Sequence, residues 1–121
     1  MELRVKTSEY QMTPEVSDYL EEKLGSIEKN IGHDPENSRL EVEVARDAGH
    51  HKHSDYMYRV EIQLLRPGRA RLVASNHEPT VNAAIDNAKE ELLLQLRKEK
   101  RLHNRMWRQS GALAKRLLRL E

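Results

Sequence analysis

The chain of 121 residues, 37% of them hydrophobic and 34% charged, is long enough for one hydrophobic core but short for two domains. It has no cysteine, which excludes disulfides, thiol catalysis and thiolate metal sites. The net charge is only +1, and the sequence shows neither a secretory leader nor a run of about 18 apolar residues. We therefore expect a cytoplasmic protein without a membrane partner.

The first elements predicted are a strand and a helix. Leu3, Val5 and Thr7 alternate with charged residues, which is typical of a half-buried strand. Thr13 is a suitable N-cap for a helix with Pro14 at its first position. An apolar stripe continues this helix to about residue 30 through Val16, Leu20, Leu24, Ile27 and Ile31.

Three strands are predicted next, over residues 39–46, 56–66 and 70–76. The first two alternate apolar and polar residues and are joined by a long polar tip at 47–55. The dipeptide Pro67-Gly68 predicts a tight turn before the last strand. The sheet is therefore expected to be largely antiparallel.

A second helix is predicted to open at Pro79, and its buried stripe contains Val81, Ala84, Ile85, Ala88, Leu92 and Leu96. Beyond Leu96 the residues favour a charged helix that projects from the core. A break is expected at 109–111, before a short amphipathic piece that becomes ordered only on docking.

The predicted fold is α+β in the order β-α-β-β-β-α, a four-stranded mostly antiparallel sheet with two helices packed on one face. Residues 1–101 form the domain and residues 102–121 a basic tail. Charge separates along the chain, because residues 1–96 carry 12 basic and 18 acidic residues, whereas residues 97–121 carry nine basic and two acidic. Such a separation is typical of a surface that binds a polyanion.

The basic side chains are the candidate RNA-binding residues, because Lys and Arg neutralise phosphates and Arg also stacks on bases. The principal candidates are Arg97, Lys98, Lys100, Arg101, Arg105 and Arg108. A second group surrounds the Pro67-Gly68 turn, with no acidic residue nearby in sequence, and comprises Arg66, Arg69 and Arg71. Lys23 and Lys29 of the first helix are the weakest candidates, since neighbouring glutamates also fit a salt-bridged surface.

Other side chains leave alternatives open. Trp107 could stack on a base or fold back on the body of the domain. His50, His51 and His53 could suggest zinc, but one polar loop supplies no fixed cage, so neither a metal nor another cofactor is expected. The sequence also lacks the motifs of nucleophilic, phosphate-binding or zinc enzymes, so we expect no catalysis.

Three stretches of the sequence resemble the bacterial ribosome hibernation-promoting factors and ribosome-associated inhibitors. They are residues 12–24 (MTPEVSDYLEEKL), residues 72–75 (LVAS) followed by residues 83–86 (AAID), and residues 95–98 (QLRK). The resemblance covers about residues 1–101. It implies a monomeric factor that binds rRNA in the tRNA and messenger RNA groove of the small ribosomal subunit and blocks translation under stress.

The chain departs from this family pattern at four positions, where Ser8, Asn82, Glu91 and Leu94 replace the expected Tyr or basic residues. Some RNA contacts of the family are therefore expected to be missing. Two alternatives remain. The acidic body and basic tail could each bind a protein, or the leucines of the tail, Leu113, Leu117 and Leu120, could lie on a membrane surface.

Overall fold

The computed structural model describes residues 1–32, 34–47 and 57–119, without the side chains of residues 110 and 112–119. Its strands are β1 (Glu2–Ser8), β2 (Arg39–Arg46), β3 (Tyr58–Leu65) and β4 (Leu72–Glu78). Its helices are α1 (Pro14–Lys29) and α2 (Val81–Arg119), with a 3-10 turn at Pro35–Asn37. The order β-α-β-β-β-α confirms the predicted fold class.

The four strands form one sheet in the order β1-β2-β3-β4. β2 pairs with β3, and β3 with β4, in antiparallel register, whereas β1 pairs with β2 in parallel. The parallel pair follows from the chain, because α1 crosses over between β1 and β2. At the β3–β4 turn, Gly68 has φ 69° and Arg69 donates its N–H to the carbonyl of Arg66, which confirms the predicted tight turn.

The core lies between the sheet and both helices. The predicted stripe of α1 is confirmed, with Leu20, Leu24, Ile27 and Ile31 at 6% exposure or less. These side chains pack with α2 and with the inward faces of β2 and β3, including Leu40, Val42, Val44, Val60, Ile62 and Leu64. The stripe of α2 is also buried from Ala84 to Leu96, and Leu93 joins it.

The ends of some elements differ from those predicted. α2 begins at Val81, because Thr80 is the N-cap: its side-chain oxygen accepts the N–H of Ala83 at 3.2 Å. The predicted break at 109–111 was wrong, since α2 continues through these residues to Arg119. A single glycine costs a helix only about 1 kcal/mol relative to alanine, and good helix formers surround Gly111.

The predicted burial of one face of β1 was wrong as well. Leu3 and Val5 remain 42% and 43% exposed, because β1 is an edge strand. A groove of about 600 Å³ separates it from α1. The alternating pattern therefore predicted the strand correctly, but not whether a helix covers it.

Replacing Leu92 with alanine tests the packing of α2 on the sheet. Leu92 is fully buried, so we expect the free energy of unfolding to fall by about 2–5 kcal/mol. Urea denaturation followed by circular dichroism measures this loss. The control is Leu94→Ala on the same helix, where Leu94 is 46% exposed and the expected change is within about 0.5 kcal/mol. Equal losses in the two variants would contradict the packing.

Candidate nucleic-acid interface

The extension of α2 beyond the core carries a continuous basic face. At about 100° per residue, five basic side chains fall within roughly one quarter of the helix circumference. We call them the basic face: Arg97, Lys98, Arg101, Arg105 and Arg108. All five are exposed, and they lie opposite the buried stripe that contains Ile85, Leu92 and Leu96. The helix that closes the core therefore also directs these cations away from it.

The basic face is not neutralised within the molecule. In the described part of the chain, none of its five side chains forms an ion pair with a carboxylate. Exposed cations at this spacing can contact successive anionic groups of an external polyanion.

The other side of the extension carries exposed apolar side chains. Leu102, Met106 and Trp107 are exposed by 57%, 59% and 75%, and they lie on the side of α2 that faces the core earlier in the helix. Trp107 therefore does not fold back on the body of the domain. Lys100 also lies away from the basic face, in a cleft against the β3–β4 turn.

Two of the three arginines around the β3–β4 turn are paired with a carboxylate of the protein itself, which the sequence did not lead us to expect. Arg66 is only 5% exposed and donates two hydrogen bonds to the carboxylate of Glu99, at 2.5 and 2.7 Å. Arg69 donates to the same carboxylate at 3.1 Å. The prediction of a turn without an acidic neighbour was wrong, because α2 brings Glu99 over the turn. Arg71 is exposed, with Nη1 3.4 Å from the side-chain oxygen of Gln63.

Glu99 is the residue whose role the sequence interpretation missed. The hydrogen bond from Arg66 lowers the pKa of Glu99 below its ordinary value of 4.5, so this carboxylate stays ionised. A signal was available, because Leu96 lies four residues after Leu92 and Glu99 lies three residues after Leu96, so Glu99 continues the stripe. An acidic residue on that stripe next to an arginine-rich turn indicates an internal ion pair.

The two lysines of α1 do not lie together. Lys23 has its Nζ 5.1 Å from the ring centre of Tyr19 and 4.0 Å from Asp86 Oδ1. The Tyr19 hydroxyl donates to Asp86 at 2.6 Å, and this hydrogen bond raises the pKa of Tyr19 to about 12. Lys23 thus belongs to a polar cluster that joins α1 to α2. Lys29 is exposed in the last turn of α1.

The outer surface of the helix layer is acidic before the basic face begins. The exposed acidic residues are Glu15, Asp18, Glu21, Glu22 and Glu28 on α1 and Glu90 and Glu91 on α2. Glu90 and Glu91 project from the same side of α2 as the basic face, so the outward side changes from acidic to basic beyond Leu94. A polyanion is therefore repelled by the helix layer and attracted by the extension.

The open face of the sheet pairs its own charges. Arg59 contacts Glu43 at 2.5 Å and Asp47 at 3.3 Å, and its hydrogen bond lowers the pKa of Glu43. Lys6 lies 3.3 Å from Glu43, and His77 lies 3.1 Å from Asp47. Because opposite charges alternate across the strands, this face presents no single-sign surface to a charged partner.

Two other site types receive no support from the described residues. Over 1–32, 34–47 and 57–119, no three His, Asp or Glu side chains cluster as metal ligands would. The loop with His50, His51 and His53 lies outside the described residues. No helix among the described residues is long and apolar enough to cross a membrane.

Comparison with known proteins gave a match to a protein family. A family profile described as sigma 54 modulation protein / S30EA ribosomal protein matches residues 3–104. The search of curated proteins gave no significant match.

Two solved structures share the fold of the chain. The Thermus thermophilus Protein Y N-terminal domain has a TM-score of 0.63 and 23% identity, over 81% of this chain and 98% of that one. A ribosomal subunit interface protein from Coxiella burnetii has a TM-score of 0.62 and 17% identity, and the match covers 83% of this chain and 98% of that one.

Replacing Glu99 with glutamine tests the ion pair between α2 and the β3–β4 turn. Arg66 would remain buried without its carboxylate, so we expect the free energy of unfolding at pH 7 to fall by about 2–3 kcal/mol. The folded state lowers the pKa of Glu99, so its stabilisation is present above the ordinary value of 4.5 and is lost as the pH falls through the lower folded value. The difference between wild type and Glu99→Gln should therefore shrink below pH 4.5.

Urea denaturation of both proteins between neutral and acidic pH measures this difference. The matched control is Glu91→Gln, an exposed carboxylate on the same helix, for which the expected change is within about 0.5 kcal/mol. A Glu99→Gln difference that stays constant with pH would show that the carboxylate charge is not what stabilises the turn.

Proposed function

The chain belongs to the sigma 54 modulation protein / S30EA ribosomal protein family, and on that premise we propose that it is a ribosome hibernation factor. It binds the small ribosomal subunit in the cytoplasm, contacts rRNA in the groove for tRNA and messenger RNA, and inhibits translation under stress. The observation that carries the proposal is the exposed, unpaired basic face of α2.

Electrostatics supports rRNA as the partner of the basic face. Cations that neutralise phosphates release the counterions condensed on RNA, and this release supplies much of the binding free energy. Arg also stacks on unpaired bases and binds phosphate with two parallel hydrogen bonds. Four of the five side chains of the basic face are arginines. A rigid helix presents them at fixed spacing, which reduces the entropy lost on binding.

The name of one structural neighbour is consistent with a ribosomal partner, because the Coxiella burnetii protein is named a ribosomal subunit interface protein. The domain of residues 1–101 supplies the scaffold and residues 102–119 prolong the basic helix. The factor is monomeric away from the ribosome and needs no cofactor.

The acidic helix layer decides which part of the molecule approaches RNA. Glu90 and Glu91 lie on the outward side of α2 just before the basic face, and α1 adds further exposed carboxylates. Because these groups repel phosphates, contact concentrates on the extension of α2, with Arg71 and Lys29 as the exposed candidates elsewhere.

A second candidate function is a protein-interaction module, and the same acidic layer favours it. A basic protein could bind the exposed carboxylates of α1, while the basic face binds an acidic protein. Nuclease treatment separates the two candidates. A complex recovered from cells that survives complete RNA digestion supports the protein module, and one that is lost on digestion supports rRNA binding.

Replacing three residues of the basic face tests the proposed contact. In the variant Arg97→Gln/Arg101→Gln/Arg105→Gln, we expect co-sedimentation with small subunits to weaken. The slope of the logarithm of the binding constant against the logarithm of the salt concentration should become shallower by about 0.9 per lost phosphate contact. The control removes three charges from strands β1 and β2, as Arg4→Gln/Lys6→Gln/Arg46→Gln. Inhibition of a reconstituted translation reaction should follow binding in both variants. If the wild-type protein does not co-sediment at low salt, the proposed function is wrong.

Trp107 provides an optical signal for the same interface. It is the only Trp of the chain and is 75% exposed, so its fluorescence emission should change when a partner binds over the extension of α2. We expect quenching when small subunits are added, and a loss of affinity of about 1–3 kcal/mol in Trp107→Ala if the ring stacks on a base. Unchanged emission in a complex shown to form by sedimentation would contradict stacking.

A further inference from the structure

A cleft lies where α2 leaves the core. It has a volume of about 250 Å³ and is bounded by the end of α1, the β3–β4 turn and the side of α2 opposite its basic face. Its polar lining is supplied by Asn30, Arg66, Arg69, Glu99, Lys100, His103 and Asn104. The cleft is therefore a feature separate from the basic face.

The lining of the cleft keeps a positive charge after its internal pairing. Arg66, Arg69 and Lys100 are cationic, and Glu99 is the only carboxylate among the lining residues that the structure describes. The hydrogen bonds to Glu99 use both terminal nitrogens of Arg66 and one of Arg69. Among the described contacts, Lys100 has no anionic partner. The lining thus carries a net charge of about +2, which favours an anion.

Burial strengthens the arginine part of this charge, whereas Lys100 and His103 are exposed. The side chain of Arg66 is 5% exposed and that of Arg69 is 29% exposed, so water screens them less than it screens an extended surface cation. The Nε of Arg66 is buried and has no hydrogen-bond acceptor among the described residues. A buried donor without a partner is uncommon and gains from an acceptor nearby.

The contact that already exists shows which chemistry suits the site. Arg66 holds a carboxylate through two parallel hydrogen bonds, which is the geometry in which arginine also holds phosphate. A tetrahedral phosphate has more acceptor oxygens than a carboxylate and can accept from several donors at once. The ammonium of Lys100, the ring of His103 and the amide of Asn104 are additional donors in the lining.

We propose that this cleft binds a phosphate group, with Lys100, His103 and Arg69 as its direct ligands and Glu99 holding Arg66 and Arg69 in position. This site goes beyond the proposed function, because it lies on the opposite side of α2 from the basic face. A backbone phosphate of RNA and a free phosphate anion share the required chemistry. The basic face can bind RNA without the cleft, so the two proposals can fail separately.

The test is a titration of the full-length protein with inorganic phosphate, followed by ¹⁵N-resolved NMR with sodium chloride as the ionic-strength control. We expect saturating shifts of the amide signals of Gly32, His103 and Asn104 that chloride does not cause. Lys100→Gln and His103→Gln should each weaken phosphate binding about tenfold, equal to about 1.4 kcal/mol. Lys100→Arg should retain it.

The control for the titration is Arg46→Gln, an exposed arginine at the far end of β2 from the turn. It should leave phosphate binding unchanged, and its spectrum and those of the other variants report directly whether each is folded. The proposal is overturned if phosphate and chloride give the same shifts. It is also overturned if folded Lys100→Gln and His103→Gln bind phosphate as tightly as wild type.

A second titration with a short single-stranded RNA identifies the source of the phosphate. If the cleft takes a backbone phosphate, free phosphate should compete with RNA for these signals. Lys100→Gln should then make the slope of the logarithm of the RNA-binding constant against the logarithm of the salt concentration shallower by about 0.7. If the cleft takes a free anion, phosphate and RNA should bind together and the salt dependence should not change. Either result supports a phosphate site, because both require the cleft to be occupied.

Discussion

The packing of α2 on the sheet is the constraint on which the other features depend. Its apolar stripe, buried between Ala84 and Leu96, fixes the rotation of the helix about its own axis. Once that rotation is set, the α-helical repeat decides where every later side chain points. The ion pair of Glu99 with Arg66 and Arg69 holds the helix one turn beyond the last buried leucine. The extension is thereby attached to the core in a defined orientation.

This single orientation separates three kinds of chemistry around one helix. The outward side carries the basic face, the side that continues the stripe carries exposed Leu102, Met106 and Trp107, and Lys100 lies between them in the cleft at the β3–β4 turn. The body contributes the opposite charge through its acidic helix layer. A net charge of +1 thus conceals two surfaces of opposite sign. Their separation favours the approach of a polyanion towards the extension of α2 over its approach towards the helix layer.

Internal pairing explains why many charged residues of the body are not available to a partner. Arg59 is shared between Glu43 and Asp47 on the open face of the sheet, and Lys23 is held by Tyr19 and Asp86 between the helices. Apart from Lys23 and Tyr19, which are neighbours on α1, each pair joins residues that are far apart in sequence. A count of basic residues therefore overestimates the charge that is available to a polyanion, because part of it stabilises contacts between elements.

The sequence by itself determined the order of the elements, most of their bounds and the identity of the core, because the periods of two and 3.6 record which side chains face inward. It also located the basic segment, since charge along a projecting helix is visible residue by residue. The continuity of α2 through Gly111 depends on whether flanking helix formers outweigh one glycine, a local balance that the sequence leaves close. Two features were decided only by the tertiary structure: the exposure of Leu3 and Val5, and the position of Glu99 over the β3–β4 turn. Both depend on how elements distant in sequence pack, so no local pattern fixes them.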